Sequence, residues 1–195
     1  MKSAIAELEH EHRIIQTVLA VMGRLVDNLE YHLEISPDVL RDLVQFIRIF
    51  GDQCHHNKEE SYLFPLLEKN GAPATGCPLG ALRAEHQKSR HFTAILSTVS
   101  GDYIANHEAG RLALIEALQH FVELYPEHIW KEEFLLFPMA QKMLSENDQQ
   151  SLLQQFSLAE ADIGTHAHSA YEALAKDLAQ RVGLDLSGHS PAHVA

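Results

Sequence analysis

The residue types able to hold a metal ion are concentrated in one stretch, His55-His56-Asn57-Lys58-Glu59-Glu60-Ser61-Tyr62-Leu63-Phe64-Pro65. It returns 73 residues later as His128-Ile129-Trp130-Lys131-Glu132-Glu133-Phe134-Leu135-Leu136-Phe137-Pro138. Both copies read His-x-x-Lys-Glu-Glu-x-x-Leu-Phe-Pro, the mark of an internal repeat. Residues four apart on a helix are offset by about 40° and share a face. His55 with Glu59, and His128 with Glu132, therefore each set an imidazole beside a carboxylate. Two such pairs can hold metal between packed helices.

Apolar periodicity selects which histidine turns inward. Helical steps back from His55 meet Gly51, Ile47, Val44 and Leu40, and steps forward meet Leu63 and Leu66. Steps back from His56 meet Asp52, Arg48 and Gln45. In the second copy, His128 follows Leu114, Phe121 and Leu124 and precedes Leu135 and Met139. The pattern places His55, Glu59, His128 and Glu132 inside. It places His56, Glu60 and Glu133 about 100° away, in solvent.

The elements that must position these residues are helices, and no strand pattern competes. A first helix is expected over about 3–33, with Ser3 as its N-cap, and Ser36-Pro37 opens a second that runs to about 69. Asn70 to Gly76 reads as a loop, followed by a third helix from about 78 to 100 or a little beyond. Ser100-Gly101-Asp102 interrupts the pattern, and a fourth helix fills about 109–144. Pro65 and Pro138 should each kink or end a helix, and Pro126 either kinks or locally opens the fourth.

The repeat extends upstream, since Leu8-x-x-Glu11-His12 matches Leu82-x-x-Glu85-His86. Counting about 1.5 Å per residue from the first turn, near 35, puts His12 and His55 at one depth. His86 and His128 match in the same way if the second turn lies near 107. The expected fold class is all-α: an antiparallel up-down four-helix bundle built from two pseudo-repeated helical hairpins. It spans residues 1–146, with a C-terminal fifth helix over 147–182 packed on it and a disordered tail over 183–195. That helix carries Leu152, Phe156, Ile163, Tyr171, Leu174 and Leu178 at helical spacing.

His12, His55, His86 and His128 would then converge with Glu59 and Glu132 in the bundle centre. Imidazole and carboxylate donors without thiolate favour iron or manganese, with zinc an adventitious substitute. Six donors are too many for one tetrahedral zinc and suit two ions. The competing reading, core histidines satisfied by neighbouring glutamates, requires matched depth, apolar faces and duplicated spacing all to be accidental. His10 reads as exposed and His91 as turned away from His86, while Arg90 holds the position one turn beyond His86. His166 and His168 read as surface residues able to cover one end of the site, and Cys54 has no role.

Composition is consistent with one soluble domain, 46% hydrophobic, with 14 histidines as its anomaly. A net charge of −12 argues against nucleic-acid or anionic-membrane partners. The chain has no run of eighteen apolar residues and no signal-peptide pattern, so a cytoplasmic location is expected. Cys54 and Cys77 are expected to be reduced thiols.

These motifs resemble the hemerythrin-like, His-His-Glu cation-binding family over about residues 4–145. The resemblance rests on Glu11-His12-Arg13, Glu85-His86-x-x-x-Arg90 and the two His-x-x-Lys-Glu-Glu copies. It implies a four-helix bundle with a di-iron centre, and iron ligation by His12, His55, Glu59, His86, His128 and Glu132. The chain departs from the oxygen-carrying members at Arg90, where those have a second third-helix histidine. It departs again at Glu132, where theirs is an aspartate one residue further on. The function expected is a non-haem di-iron protein that binds or reacts with dioxygen, peroxide or nitric oxide. Its purpose would be sensing, storage, delivery or detoxification. The alternative is an iron-responsive regulatory module without turnover. The sequence names no protein partner.

Overall fold

The computed structural model describes residues 3–164 and 167–185. Every regular element among them is helical. Helix α1 is Ala4–Glu30, capped at Ser3, whose hydroxyl oxygen accepts from the Ala6 N–H. Helix α2 begins at Pro37–Phe46, widens through Ile47–His56 and Glu59–Leu63, and closes as Phe64–Lys69. Helix α3 is Leu79–Ala105. Helix α4 joins His107–Lys131, a widened Glu132–Leu136 and Phe137–Met143. Helices α5, Glu146–Ile163, and α6, Ala167–Arg181, complete the order.

Of the two outcomes expected for Pro65 and Pro138, a kink or a helix end, the end does not occur, and a widened turn precedes each proline. The Phe64 N–H donates to the Glu59 carbonyl and the Phe137 N–H to that of Glu132, five residues back instead of four. Proline lacks an N–H and crowds the carbonyl four residues before it. A wider turn just upstream makes room for the ring, and the helix resumes. Pro126 lies within the continuous His107–Lys131 segment.

Ser100-Gly101-Asp102 stays helical, and the break before α4 is Asn106 alone, whose Oδ1 accepts from the Ala109 N–H. Tyr103 anchors this end: it is buried, and its hydroxyl oxygen accepts from the Ile35 N–H at 3.1 Å. A Cβ on Gly110 would fall 2.4 Å from Tyr103 Cα, so the tight α3–α4 crossing requires glycine there. The expected single helix over 147–182 is two, separated at Gly164 with φ 122°. Residues 186–195 of the expected tail, and His166, lie outside the described residues.

Helix α1 packs on α2 and α4, and α3 packs on the same two. Two apolar clusters result. One gathers Leu25, Leu43, Phe50, Leu96, Leu118 and Phe121, the other Leu8, Leu63, Phe64, Leu82, Leu136 and Phe137. Each of the four helices contributes to both. Between its two contributions each places buried polar residues: His12, His55 and Glu59, His86, and Glu132.

Helices α5 and α6 pack against α1 and α2. Leu152 and Phe156 bury in one cluster, Ala175, Leu178 and Ala179 in the other. A chain ending after residue 146 is therefore expected to be less stable. The loss is on the order of 1.5–3 kcal/mol for each large apolar side chain uncovered or removed. Chemical denaturation of both chains checks this, and equal midpoints would show the two helices to be dispensable.

Candidate metal centre

The six residues expected to converge do so. The rings of His12 and His55 lie 4.9 Å apart, and those of His86 and His128 lie 5.0 Å apart. Glu132 sits between the pairs, with Oε2 at 2.9 Å from His12 Nε2 and Oε1 at 3.1 Å from His128 Nε2. Glu59 Oε2 lies 3.3 Å from His86 Nε2. Donor atoms of His12, His55 and Glu132 form one group within 4.8 Å of one another, and those of Glu59, His86 and Glu132 form another.

Each of these imidazoles is held from outside by a carboxylate. His12 Nδ1 meets Glu133 at 2.9 Å, and His55 Nδ1 meets Glu11 at 2.9 Å. His86 Nδ1 meets Glu60 at 2.7 Å, and His128 Nδ1 meets Glu85 at 3.1 Å. An ionised carboxylate only accepts, so each Nδ1 carries the hydrogen and each Nε2 faces the centre. Two lysines complete the pattern. Lys58 Nζ binds Glu11 at 2.5 Å, with Glu7 and Glu160 as further partners, and Lys131 Nζ binds Glu85 at 2.6 Å.

Glu60 and Glu133, which the periodicity places in solvent, keep 27% and 32% exposure and are at the same time partners of His86 and His12. His56 departs further from expectation. It is 1% exposed, and its ring stacks on His86 at 3.9 Å between centroids. The cause is the widened segment Ile47–His56, where the Asn57 N–H reaches the Asp52 carbonyl. Successive residues there turn by less than the about 100° of an α-helix, so neighbours His55 and His56 both face inward. His91 is exposed and His10 half-buried. His168 packs on His10 and Phe50 and reaches within 3.6 Å of Glu11.

The donor set fits a cation. Both oxygens of Glu59 and of Glu132, and Nε2 of His12, His56, His86 and His128, are buried without an aligned hydrogen-bond partner. The short His12–Glu132 contact sets a nitrogen lone pair against a carboxylate, which requires a positive charge between them. A proton can supply it. Burial alone would lower His12, but Glu132 and Glu133 outweigh burial and raise it to about 10. His86 is raised in the same way, against burial, by Glu132, Glu59 and Glu60. Burial and the charge of Glu132 push Glu59 up, whereas His128 and His12 hold Glu132 down against its own burial. Burial also tends to raise Glu11, but His55 and Lys58 bring it to about 2.

Fold and donor set together define a helical metal-binding protein. The family model of the hemerythrin HHE cation binding domain matches residues 3–140, and the chain belongs to that family. An uncharacterized protein of Mycobacterium tuberculosis (strain ATCC 25618 / H37Rv) is 24% identical over 143 residues, 73% of this chain and 55% of that protein. The iron-sulfur cluster repair protein YtfE of Salmonella newport (strain SL254) is 28% identical over 110 residues, 54% of this chain and 50% of the relative. The chain thus spans about half the length of the curated relatives it matches. No solved structure matches it at a significant level. No helix among the described residues is long and apolar enough to cross a membrane.

Two outcomes follow from this geometry. Lys58→Met removes the cation from three carboxylates around a fully buried position, and is expected to cost about 3–5 kcal/mol in the metal-free chain. Chemical denaturation measures it. Metal uptake near neutral pH should also release protons, because the metal replaces the proton between His12 and Glu132. The sign follows from the raised His12 value. The folded chain keeps this proton at every pH well below about 10 and loses it as pH rises through that value, so the metal displaces a proton throughout the lower range. Apparent metal affinity should therefore climb with pH over that window. Calorimetric titration in buffers of different ionisation enthalpy counts the protons, and uptake without proton release would contradict the assignment.

Proposed function

We propose that the first four helices form an antiparallel up-down bundle around a di-iron centre held by His12, His55, Glu59, His86, His128 and Glu132. Two observations support the arrangement. The order in which α1 to α4 contribute to the two apolar clusters alternates along the chain. The two hairpins also repeat the same imidazole–carboxylate–lysine contacts. The observation that carries the centre is the set of inward, unpartnered Nε2 and carboxylate oxygen atoms. It matches the preference of iron for mixed imidazole and carboxylate donors.

The centre binds or reacts with dioxygen, peroxide or nitric oxide. A ferrous pair held by these residues would supply two electrons to an oxidant. The chain's own part is to orient donors and exclude water. Glu11, Glu60, Glu85 and Glu133 fix the tautomer and direction of four imidazoles. Apolar clusters on both sides keep the layer dry. Tyr125 is buried beside His128, with its hydroxyl 2.8 Å from Ser89 Oγ, and burial pushes its ionisation up, so the phenol stays protonated. A small apolar cavity of about 10 Å³ is lined by Ile15, Met22, Gly51, Phe121 and Tyr125.

A second reading, repair of iron-sulfur clusters, is favoured by the likeness to the Salmonella iron-sulfur cluster repair protein. Aerobic titration of the ferrous protein separates the two. Oxygen uptake with a near-ultraviolet ligand-to-metal band is expected on the first reading. Absence of both, together with restored activity of a cluster-damaged iron-sulfur enzyme, would replace it with the second.

A further inference from the structure

Arg90 lies one turn after His86 on α3, and its guanidinium reaches two carboxylates of α2. Nε donates to Asp52 Oδ1 at 2.7 Å, and Nη2 donates to Glu60 Oε2 at 2.9 Å. Asp52 belongs to the widened segment Ile47–His56 and Glu60 to the widened segment Glu59–Leu63. One planar side chain thus spans the stretch that carries His55 and Glu59 and ties both of its ends to α3. We propose that Arg90 is a positioning residue for the metal centre, which fixes the direction and the ring plane of His86. This rests on the metal reading above.

Two paths lead from the guanidinium to that ring. On the first, Arg90 holds Glu60 Oε2 while Glu60 Oε1 accepts from His86 Nδ1 at 2.7 Å. A carboxylate pinned through one oxygen keeps the other in place, and the Nδ1–H bond then sets where Nε2 points. On the second, Asp52 Oδ1 is held by Arg90 and lies 3.4 Å from His56 Nδ1. The His56 ring stacks on His86 with 3.9 Å between centroids and 15° between planes. Phe64 is also nearly parallel to His86, at 5.9 Å. His56 is on this account a plate against which the His86 ring rests.

The internal repeat provides the comparison. The residue matching Arg90 in the first hairpin is Gln16, and the residue matching Asp52 in the second copy is Tyr125. Neither can rebuild the clamp. Glu133, which matches Glu60, holds His12, and among the described residues no lysine or arginine pairs with it. His12 is therefore positioned by a carboxylate that stands alone, and His86 by one that is itself held.

Proton exchange in the zinc(II)-loaded chain, with nitrogen-15 histidine, tests this. An imidazole that binds metal through Nε2 keeps its Nδ1–H, whose exchange with water reports how firmly the outer carboxylate is held. Arg90 is 38% exposed, so Arg90→Gln leaves both apolar clusters intact. That variant should exchange the His86 Nδ1–H at least about tenfold faster and leave the His12 Nδ1–H unchanged. Glu60→Gln assigns the His86 signal. Equal behaviour of the two rings in Arg90→Gln, both unchanged or both faster, would overturn the proposal. Arg90→Lys keeps the charge without the planar fork and should recover less than about half of the change. Full recovery would show that charge alone suffices and would overturn the clamp. Should Arg90→Gln fail to fold, the same comparison of His86 with His12 in Arg90→Lys decides. A wild-type chain that takes up no metal overturns the metal reading, and this proposal with it. Equal exchange at the two rings with metal bound overturns this proposal only.

Discussion

A layer of imidazoles and carboxylates can lie between two apolar clusters only if almost every donor finds an acceptor and every charge a counter-charge. This chain meets that constraint outward and leaves it unmet inward. On the outer side, four Nδ1 atoms meet Glu11, Glu60, Glu85 and Glu133, and two of those carboxylates are neutralised again by Lys58 and Lys131. On the inner side, Nε2 atoms and carboxylate oxygens face one another. The same arrangement that makes the metal-free layer costly makes it selective for a cation. Stability and metal affinity are therefore one quantity read in two ways.

Each fixed letter of His-x-x-Lys-Glu-Glu-x-x-Leu-Phe-Pro has a physical task. The histidine and first glutamate face the centre. The second glutamate reaches across to an imidazole of the other hairpin, Glu60 to His86 and Glu133 to His12. The lysine reaches within its own hairpin to Glu11 or Glu85, which holds that hairpin's second imidazole. Leucine and phenylalanine bury in the cluster beyond the site. Proline follows the widened turn. The Lys-Glu-Glu run therefore ties each hairpin to itself and to its neighbour.

How much of this was legible in the sequence depended on helical period. The repeat, the convergence of His12, His55, His86 and His128, and the inward Glu59 and Glu132 follow from regular spacing, and regular spacing holds through most of α1, α3 and α4. It fails across Ile47–His56 and Glu59–Leu63, where five-residue hydrogen bonds change the angle between neighbours. Period arithmetic therefore sent His56 to solvent. It treated Glu60 and Glu133 as surface charges because it cannot see across helices to the ring that each one holds. Signals were present all the same. Two prolines at matching places inside otherwise unbroken helical patterns imply local widening, and Asp52 stands four residues before His56, where an i,i+4 partner belongs. The division of the C-terminal region at Gly164 had only a single glycine to announce it.

The two hairpins share a motif, but the outer environment separates them. Helices α5 and α6 cover the α1–α2 side: Glu160 reaches Lys58, and His168 approaches Glu11. There the Lys58 and Glu11 side chains are both 0% exposed. The corresponding Lys131 and Glu85 are 15% and 14% exposed, and the second partner of Lys131 is the solvent-facing Glu127. A carboxylate in a drier, more strongly paired setting is a stiffer hydrogen-bond acceptor, and it passes that stiffness to the imidazole it holds. Glu11, fully buried and drawn down to about 2, therefore fixes His55 more firmly than Glu85 fixes His128. A duplicated scaffold supplies equivalent donors, and the added C-terminal helices then make the settings behind them unequal. Two halves of a donor layer built from one repeat acquire different electronic surroundings in this way without a change in the residues that both halves share.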